Sequence, residues 1–335
     1  GSVNTPPNKD IRWEKTTTVN VGVDFALFRH RLSGTIEYYN KYSVDLLAAI
    51  NGSPTQGFGY TTLMTNNGKM VNRGVEITLS GEIIRQKDFS WNASLLYAFN
   101  RNKVKHISVQ PSLWDSRISM PTSYPMVGKP LYGIYAYKWA GLNENGDPQV
   151  YDAENNVTSG PARDYHALVY CGTTVPIHNA SLTNVLRYKG FEFSAMLILD
   201  AGHKLRSSNI PSINMSNGRI TSTAKGIVDR WTQPGDVTDV PRLLFSNDTE
   251  NFNTHRTELY RYSDLFVYDA SNIRLSNISL AYRVPAHWCK KISLSGARLQ
   301  FNVENVATFA FDSKANYDLG GKVEPNYVWG LYLNF

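Results

Sequence analysis

A membrane-crossing helix needs about 20 consecutive apolar residues, and no run in this sequence approaches that length. The stretch from Gly1 to Trp13 lacks a basic segment followed by an apolar one, so it does not read as a secretory signal peptide. Two cysteines in 335 residues exclude a disulfide-built scaffold. Cys171 and Cys289 fall in segments expected at opposite ends of the molecule, so two free thiols are expected. The histidines (His30, His106, His166, His178, His203, His255 and His287) form neither HxH nor HExxH and none keeps ligand spacing with a cysteine. No metal site and no cofactor is therefore expected. The formal net charge of +6 is scattered over short links (Arg29, Arg31, Arg85, Lys87, Lys290, Lys291) rather than gathered on one face. That argues against a nucleic-acid partner and suits turns lying near anionic headgroups. No amphipathic helical period stands out.

What the sequence has is period two. Val19, Val21, Val23, Phe25 and Leu27 alternate with Asn20, Gly22, Asp24 and Ala26, the mark of a strand with one apolar and one polar face. The pattern recurs from Leu32 to Tyr39, from Val75 to Ser80, from Phe89 to Asn100, from Phe191 to Asp200 and from Tyr327 to Phe335. Spanning strands are predicted near 16–27, 32–44, 74–84, 88–100, 181–188, 191–200, 272–284, 292–304 and 327–335. The eighth is interrupted by Gly296, where the parity shifts. The apolar faces end in aromatic residues (Tyr38, Tyr39, Tyr97, Phe99, Tyr282), and the chain holds 20 Tyr, 14 Phe and 7 Trp.

The links alternate too. Phe28–Arg31, Arg85–Lys87 and Tyr188–Gly190 are short, whereas 45–73, 101–180, 201–271 and 305–326 are long and rich in Gly, Asn, Ser, Pro and Thr. Soluble sheets seldom carry several loops beyond about 15 residues. Outer-membrane barrels do, with short periplasmic turns and long extracellular loops. The parity closes with about nine antiparallel strands if 101–180 stays outside, Leu131–Trp139 then forming part of an extracellular hairpin. The expected fold is all-β, a portion of a transmembrane antiparallel barrel embedded in a lipid bilayer. Nine strands leave sheet edges that cannot stand unpaired in lipid, so the 335 residues are expected to be a piece of a longer protein. Phe335, ending an alternating strand, fits a recognition signal for outer-membrane assembly. The alternative is a soluble extracellular β-sandwich acting as a glycan-binding module.

Motifs that carry chemistry elsewhere read here as scaffolding. Ser222–Lys225 fits SxxK without companion motifs. Gly320–Lys322 lacks the strand and helix of a phosphate loop. Asn143–Asp147 has alternating oxygens but no bidentate Glu for calcium, and reads as a turn. Asp236 and Asp239 would pair as acid and base in a hydrolase. The competing reading is a self-bonded loop over Gly235–Arg242, and no enzyme is expected.

In number and order, a set of short motifs resembles the C-terminal part of the SusC/RagA-type TonB-dependent outer-membrane transporters of Bacteroidetes. These are Pro7-Asn8 with Ile11–Thr16, Leu32-Ser33-Gly34, Tyr38-Tyr39-Asn40, Asn72–Glu76, Gly128–Leu131, Gly141–Asn143, Gly146-Asp147-Pro148, Tyr188–Phe191, Arg230-Trp231-Thr232, Gly235–Arg242, Asp269–Leu275, Asn305 and Gly330–Phe335. Lys322–Pro325 departs from the Pro-Arg pair more usual there. The resemblance implies a 22-strand plugged barrel of which residues 1–335 are the C-terminal segment, with the N-terminal plug, TonB box and signal peptide outside this chain. It also implies import of glycans or peptides, a SusD-like surface lipoprotein as partner, and energy from the TonB complex. In such a transporter Trp114, Tyr124, Tyr165, Arg219 and Arg256 are candidates for contact with an oligosaccharide or peptide, by ring stacking or by pairing with carboxylates. Alternatively, each simply packs its loop.

Overall fold

The computed structural model describes residues 8–51, 62–109, 116–160, 164–215, 224–245, 254–319 and 324–335. Nine strands form one sheet: β1 (Lys15–Leu27), β2 (Leu32–Asn51), β3 (Thr62–Arg85), β4 (Phe89–His106), β5 (His178–Tyr188), β6 (Phe191–Ala201), β7 (Asn272–Arg283), β8 (Gly296–Ala310) and β9 (Asn326–Asn334). Each pairs antiparallel with its neighbour in sequence, so the sheet is an uninterrupted meander with β1 and β9 as its edges. All nine predicted strands are present.

Register turns the alternation of single strands into two continuous faces. One row reads Phe25, Gly34, Leu79, Leu95, Leu182, Leu197, Leu275 and Ala307 across eight strands. Toward the short links, beyond a row through Ala93, Asn184, Ala195 and Ile278, lie Trp91, Leu186, Phe193, Leu280, Phe301 and Trp329, then Phe89, Tyr188, Phe191, Tyr282, Leu299 and Leu331. Toward the long links lie Tyr38, Tyr97, Phe99 and Phe309. The apolar face is thus bounded by two aromatic bands. Phe89 to Phe99 spans ten steps, roughly 33 Å along the strand. A tilt near 40° lowers that to a height of about 25 Å, the thickness of a barrel's lipid-facing belt. Among the described residues nothing covers this face: Val21 is 62% and Trp329 77% exposed.

Several strands run past their predicted ends, all on the long-loop side. Residues 62–73 belong to β3, where bulges near Leu46 and Lys69 break the period, so alternation could not reveal them. Gly296 opens β8 instead of interrupting it. The parity shift comes from a bulge opposite Leu275 and Asn277, with Asn305 left-handed at φ 54°. The link from 284 to 295 is consequently longer than predicted and holds a short helix, Ala286–Lys290.

The long links fold into a unit of their own. Gly133–Tyr137 is fully buried and pairs with Leu168–Thr173, not with a nearby hairpin partner. Trp139–Leu142 does form a local hairpin, with Pro148–Tyr151. An eight-residue helix, Thr254–Arg261, packs Leu259 and Tyr260 into two small cores with Tyr135, Tyr137, Val150 and with Ile213, Phe266. Its sequence THRTELYR lacks an apolar stripe, so sequence reading missed it. Among the described residues no helix is long and apolar enough to cross a membrane, which does not bear on strands.

Candidate functional site

The second face of the sheet is a polar wall. Thr35 donates to Asp24 at 2.6 Å, and Asn102 to Asn72 at 2.7 Å. Asp200 accepts from Asn179 at 2.7 Å and from Arg274 at 2.9 Å. Glu192 accepts from Arg187 at 2.7 Å and Arg298 at 3.2 Å. Thr35 and Asp24, Asn102 and Asn72, Asn179 and Asp200, and Arg187 and Glu192 are direct register partners, whereas Arg274 reaches Asp200 diagonally and Arg298 reaches Glu192 across β7. Leu96, Ile198 and Val328 interrupt its polarity.

Two of the sequence motifs meet on β2 and β3, with Tyr39 and Gly74 on this wall and Asn40 and Arg73 on the opposite face. Tyr38, Tyr39 and Asn40 lie opposite Val75, Gly74 and Arg73. Arg73 Nε donates to Asn40 Oδ1 at 3.0 Å. A side chain at Gly74 would collide with the Tyr39 ring, so the glycine provides the surface over which the tyrosine lies.

The loop-end unit is organised around Asp147. Asn143 Oδ1 takes the backbone N–H groups of Asn145 and Asp147, each at 2.9 Å, and Gly146 turns the chain at φ +73°. Asp147 then receives Arg242 through Nε at 3.1 Å and Nη2 at 2.8 Å. Arg256 Nε reaches it at 3.0 Å. The same Arg256 guanidinium donates to Ile213 O at 3.1 Å, Asn214 Oδ1 at 2.5 Å and Arg242 O at 2.7 Å. Trp231 packs where a Gly146 side chain would stand. Gly146→Ala is therefore expected to cost about 1–3 kcal/mol, from the left-handed backbone and the displaced indole. Amide exchange over residues 143–151 should rise about tenfold or more; unchanged exchange would show that the indole is not seated there.

Asp236 caps its own loop. It accepts Thr232 N and Oγ1 at 2.8 Å and Gln233 N at 3.1 Å. The Thr232 amide, first among these donors, holds its carboxyl below the usual range. Asp239 accepts Trp139 Nε1 at 2.9 Å. The two carboxylates are bound to separate partners: Asp236 caps N–H groups of its own loop, whereas Asp239 bonds an indole a hundred residues away, outside the loop.

Both thiols are free. Burial, reinforced by Asp264, pushes Cys171 up to about 11 from 9.0. The folded state favours the protonated thiol. Its contribution to stability is full below about pH 9 and is lost as pH rises through about 11. At pH 8, iodoacetamide should label Cys171 about 100-fold more slowly than an unperturbed cysteine, as measured by peptide mass spectrometry. Labelling at the unperturbed rate would refute the burial.

The predicted contact residues separate in the structure. Tyr124 and Tyr165 come together through Arg117, whose Nε donates to Tyr124 O at 3.4 Å while its guanidinium lies 5.0 Å from the Tyr165 ring centre. Both tyrosines are half-buried at the edge of the loop-end unit. Arg256 is 2% exposed, with its donors spent inside the protein. Phe335 is 91% exposed beside the short links, its carbonyl taking Ser295 Oγ at 3.3 Å. Trp114, Arg219, part of Ser222–Lys225 and Gly320–Lys322 lie outside the described residues. Sequence reading missed a cavity of about 450 Å³ between Ser207–Ile213 and the Thr257–Tyr262 segment, lined by Arg206, Arg261 and Tyr262. Thr257 Oγ1 is buried there without a hydrogen-bond partner among the described residues. Its two walls are some fifty residues apart, and no local pattern marks them.

Residues 1–306 match the family model described as "TonB dependent receptor-like, beta-barrel". The chain is 26% identical to TonB-dependent receptor P3 of Formosa agariphila over 97% of its own length and 33% of that protein's. It is 25% identical to TonB-dependent receptor SusC of Bacteroides thetaiotaomicron, over 89% of its length and 29% of that protein's. The fold is similar to that of the RagAB peptide transporter, with a TM-score of 0.76 at 23% identity, covering 100% of this chain and 37% of the solved one. A structure of the RagAB peptide importer in an open-open state gives a TM-score of 0.73 at 22% identity. The chain thus spans about a third of the length of these relatives.

Proposed function

Because the chain belongs to the TonB-dependent receptor-like β-barrel family, we propose that it is the C-terminal part of the wall of an outer-membrane nutrient importer that takes up glycans or peptides. The observation that carries this reading is the pair of faces on one continuous sheet: a 25 Å apolar belt between aromatic bands, backed by a ladder of charges and amides. A polar face behind a lipid-facing belt is what a barrel needs to enclose a lumen. The β-sandwich alternative requires a second sheet packed about 10 Å over the apolar face. The remaining described strands instead form small sheets at the loop end. The family is one of receptors, and the Asp236 and Asp239 contacts leave no acid–base pair for hydrolysis.

In this reading β1 and β9 pair with further strands of a 22-strand barrel, which satisfies their free N–H and C=O groups. A plug and TonB box outside this chain couple the wall to the TonB complex. The loop-end unit faces outward and meets a SusD-like lipoprotein, and Phe335 serves the assembly machinery. Ligand contact falls to Tyr124, Tyr165 and the cavity beside Arg261 and Tyr262, where a cation suits carboxylates and rings suit sugars, while Arg206 is held by the carbonyls of Tyr135, Arg261 and Ser263. The test is membrane fractionation of the full-length receptor, then uptake of oligosaccharide and peptide libraries with and without the neighbouring lipoprotein. Outer-membrane localisation with lipoprotein-dependent uptake is expected. A full-length protein that is soluble and monodisperse without detergent would refute the importer.

A further inference from the structure

Just above the loop-end aromatic band, the apolar face of the sheet turns basic. Arg101 and Lys103 follow Phe99 at the same parity on β4, and Arg73 follows Val75 on β3. Arg73 and Arg101 are direct cross-strand partners, an arrangement of like charges that destabilises a sheet unless something neutralises it. Nothing described does so. None of Arg73, Arg101, Lys103 and Lys129 takes part in an ion pair among the described residues. On this face the nearest rows, Val19–Asn40–Arg73–Arg101 and Thr17–Tyr42–Val71–Lys103, hold no carboxylate.

The cations gather around a built cavity. It has a volume of about 410 Å³, lies where the β4–β5 ladder ends, and is lined by Arg101, Lys103, Lys129, Tyr170 and His178 with no Asp or Glu. Lys129 Nζ stands 4.9 Å from the Tyr170 ring centre. Gly128, at φ +87°, lies beside the Lys103 side chain. The floor is the aromatic band itself: His178 bonds Tyr97 Oη at 2.9 Å and its ring lies 5.3 Å from Phe99.

We propose that this cavity binds the phosphate-bearing headgroup of an outer-leaflet glycolipid, its acyl chains running down the apolar belt below Phe99. Arg101 supplies a planar fork for phosphate oxygens, and Lys103 and Lys129 supply point charges. An anion there also removes the repulsion between Arg73 and Arg101. The position selects a lipid over a free anion, because the apolar belt begins within two residues of the cations. The inference rests on the outer-membrane placement proposed above.

The test uses the full-length receptor carrying this chain, delipidated in detergent and titrated with diphosphorylated lipid A, dephosphorylated lipid A or inorganic phosphate. Binding is read by native mass spectrometry at low and high salt. Wild type should prefer the phosphorylated lipid, and the triple variant R101Q/K103Q/K129Q should bind it about 100-fold more weakly. R101K/K103R/K129R should keep most of the affinity, and K87Q/K290Q/K291Q, at the opposite end, should match wild type. Heat-modifiable gel migration establishes that each variant folds. Equal binding by wild type and the triple glutamine variant overturns the proposal, as does indifference to lipid phosphorylation. Competition by inorganic phosphate at the lipid's own concentration overturns the lipid assignment in favour of a free anion. A receptor absent from the outer-membrane fraction overturns the importer reading as well, whereas one present there without headgroup binding overturns this inference alone.

Discussion

Replacing Arg256 by alanine should loosen the whole loop-end unit while leaving the strands assembled. The side chain is 2% exposed and donates to Asp147, Asn214 and the carbonyls of Ile213 and Arg242. Its removal leaves those acceptors buried with fewer donors and Asp147 with Arg242 alone. Breaking a buried, hydrogen-bonded ion pair from one side costs about 3–5 kcal/mol. That corresponds to a rise of roughly two to nearly four orders of magnitude in the open population of the unit. Limited proteolysis should cut between residues 133 and 269 correspondingly faster, with heat-modifiable migration of the barrel retained. Arg242→Ala should be milder, because Asp147 keeps Arg256, and the double variant should cost less than the sum. Proteolysis of Arg256→Ala at the wild-type rate would mean that the network does not hold the unit together. Lost ligand uptake in this variant would report the unit's collapse and not a lost contact to ligand, because the side chain is 2% exposed.

Leu182→Arg is expected to block assembly where Thr183→Arg is tolerated. The two residues are neighbours on β5 with opposite fates. Leu182 stands in the central apolar row between Leu95 and Leu197, and Thr183 stands on the polar wall between Ser94 and Met196. An arginine at the lipid midplane costs about 2–4 kcal/mol, and one facing the lumen far less. The readout is the heat-modifiable fraction in outer membranes and its unfolding midpoint in urea. Equal tolerance of the two substitutions would show that the faces have been assigned wrongly or that the sheet is not in lipid.

The nine strands were legible because lipid imposes a simple rule. A segment with an apolar belt on one side and water on the other must alternate, and Val19–Leu27 and Phe89–Phe99 do so residue by residue. Where the belt ends, the rule lapses. Residues 62–73 of β3 carry bulges and no period, so their strand was invisible. Several motifs behind the family resemblance prove to be structural partners. Tyr39 lies over Gly74, Asn40 binds Arg73, and Asp147 joins Arg242. Arg256 was read as a candidate for ligand contact because an arginine in a polar loop looks available. Its burial depends on Asp147, 109 residues away.

The sequence alone therefore determined the strand count, the two faces, the short and long ends and the family. These depend on neighbours in sequence or on a solvent that acts on each strand separately. Only the tertiary structure decided which loop residues are spent on the framework, where the Arg206–Tyr262 cavity opens, and that Arg73, Arg101, Lys103 and Lys129 crowd together without a counter-charge among the described residues. Those features come from strand register and from contacts across dozens to more than a hundred residues. Coulomb and packing energies act through space, and no local pattern of residues records them.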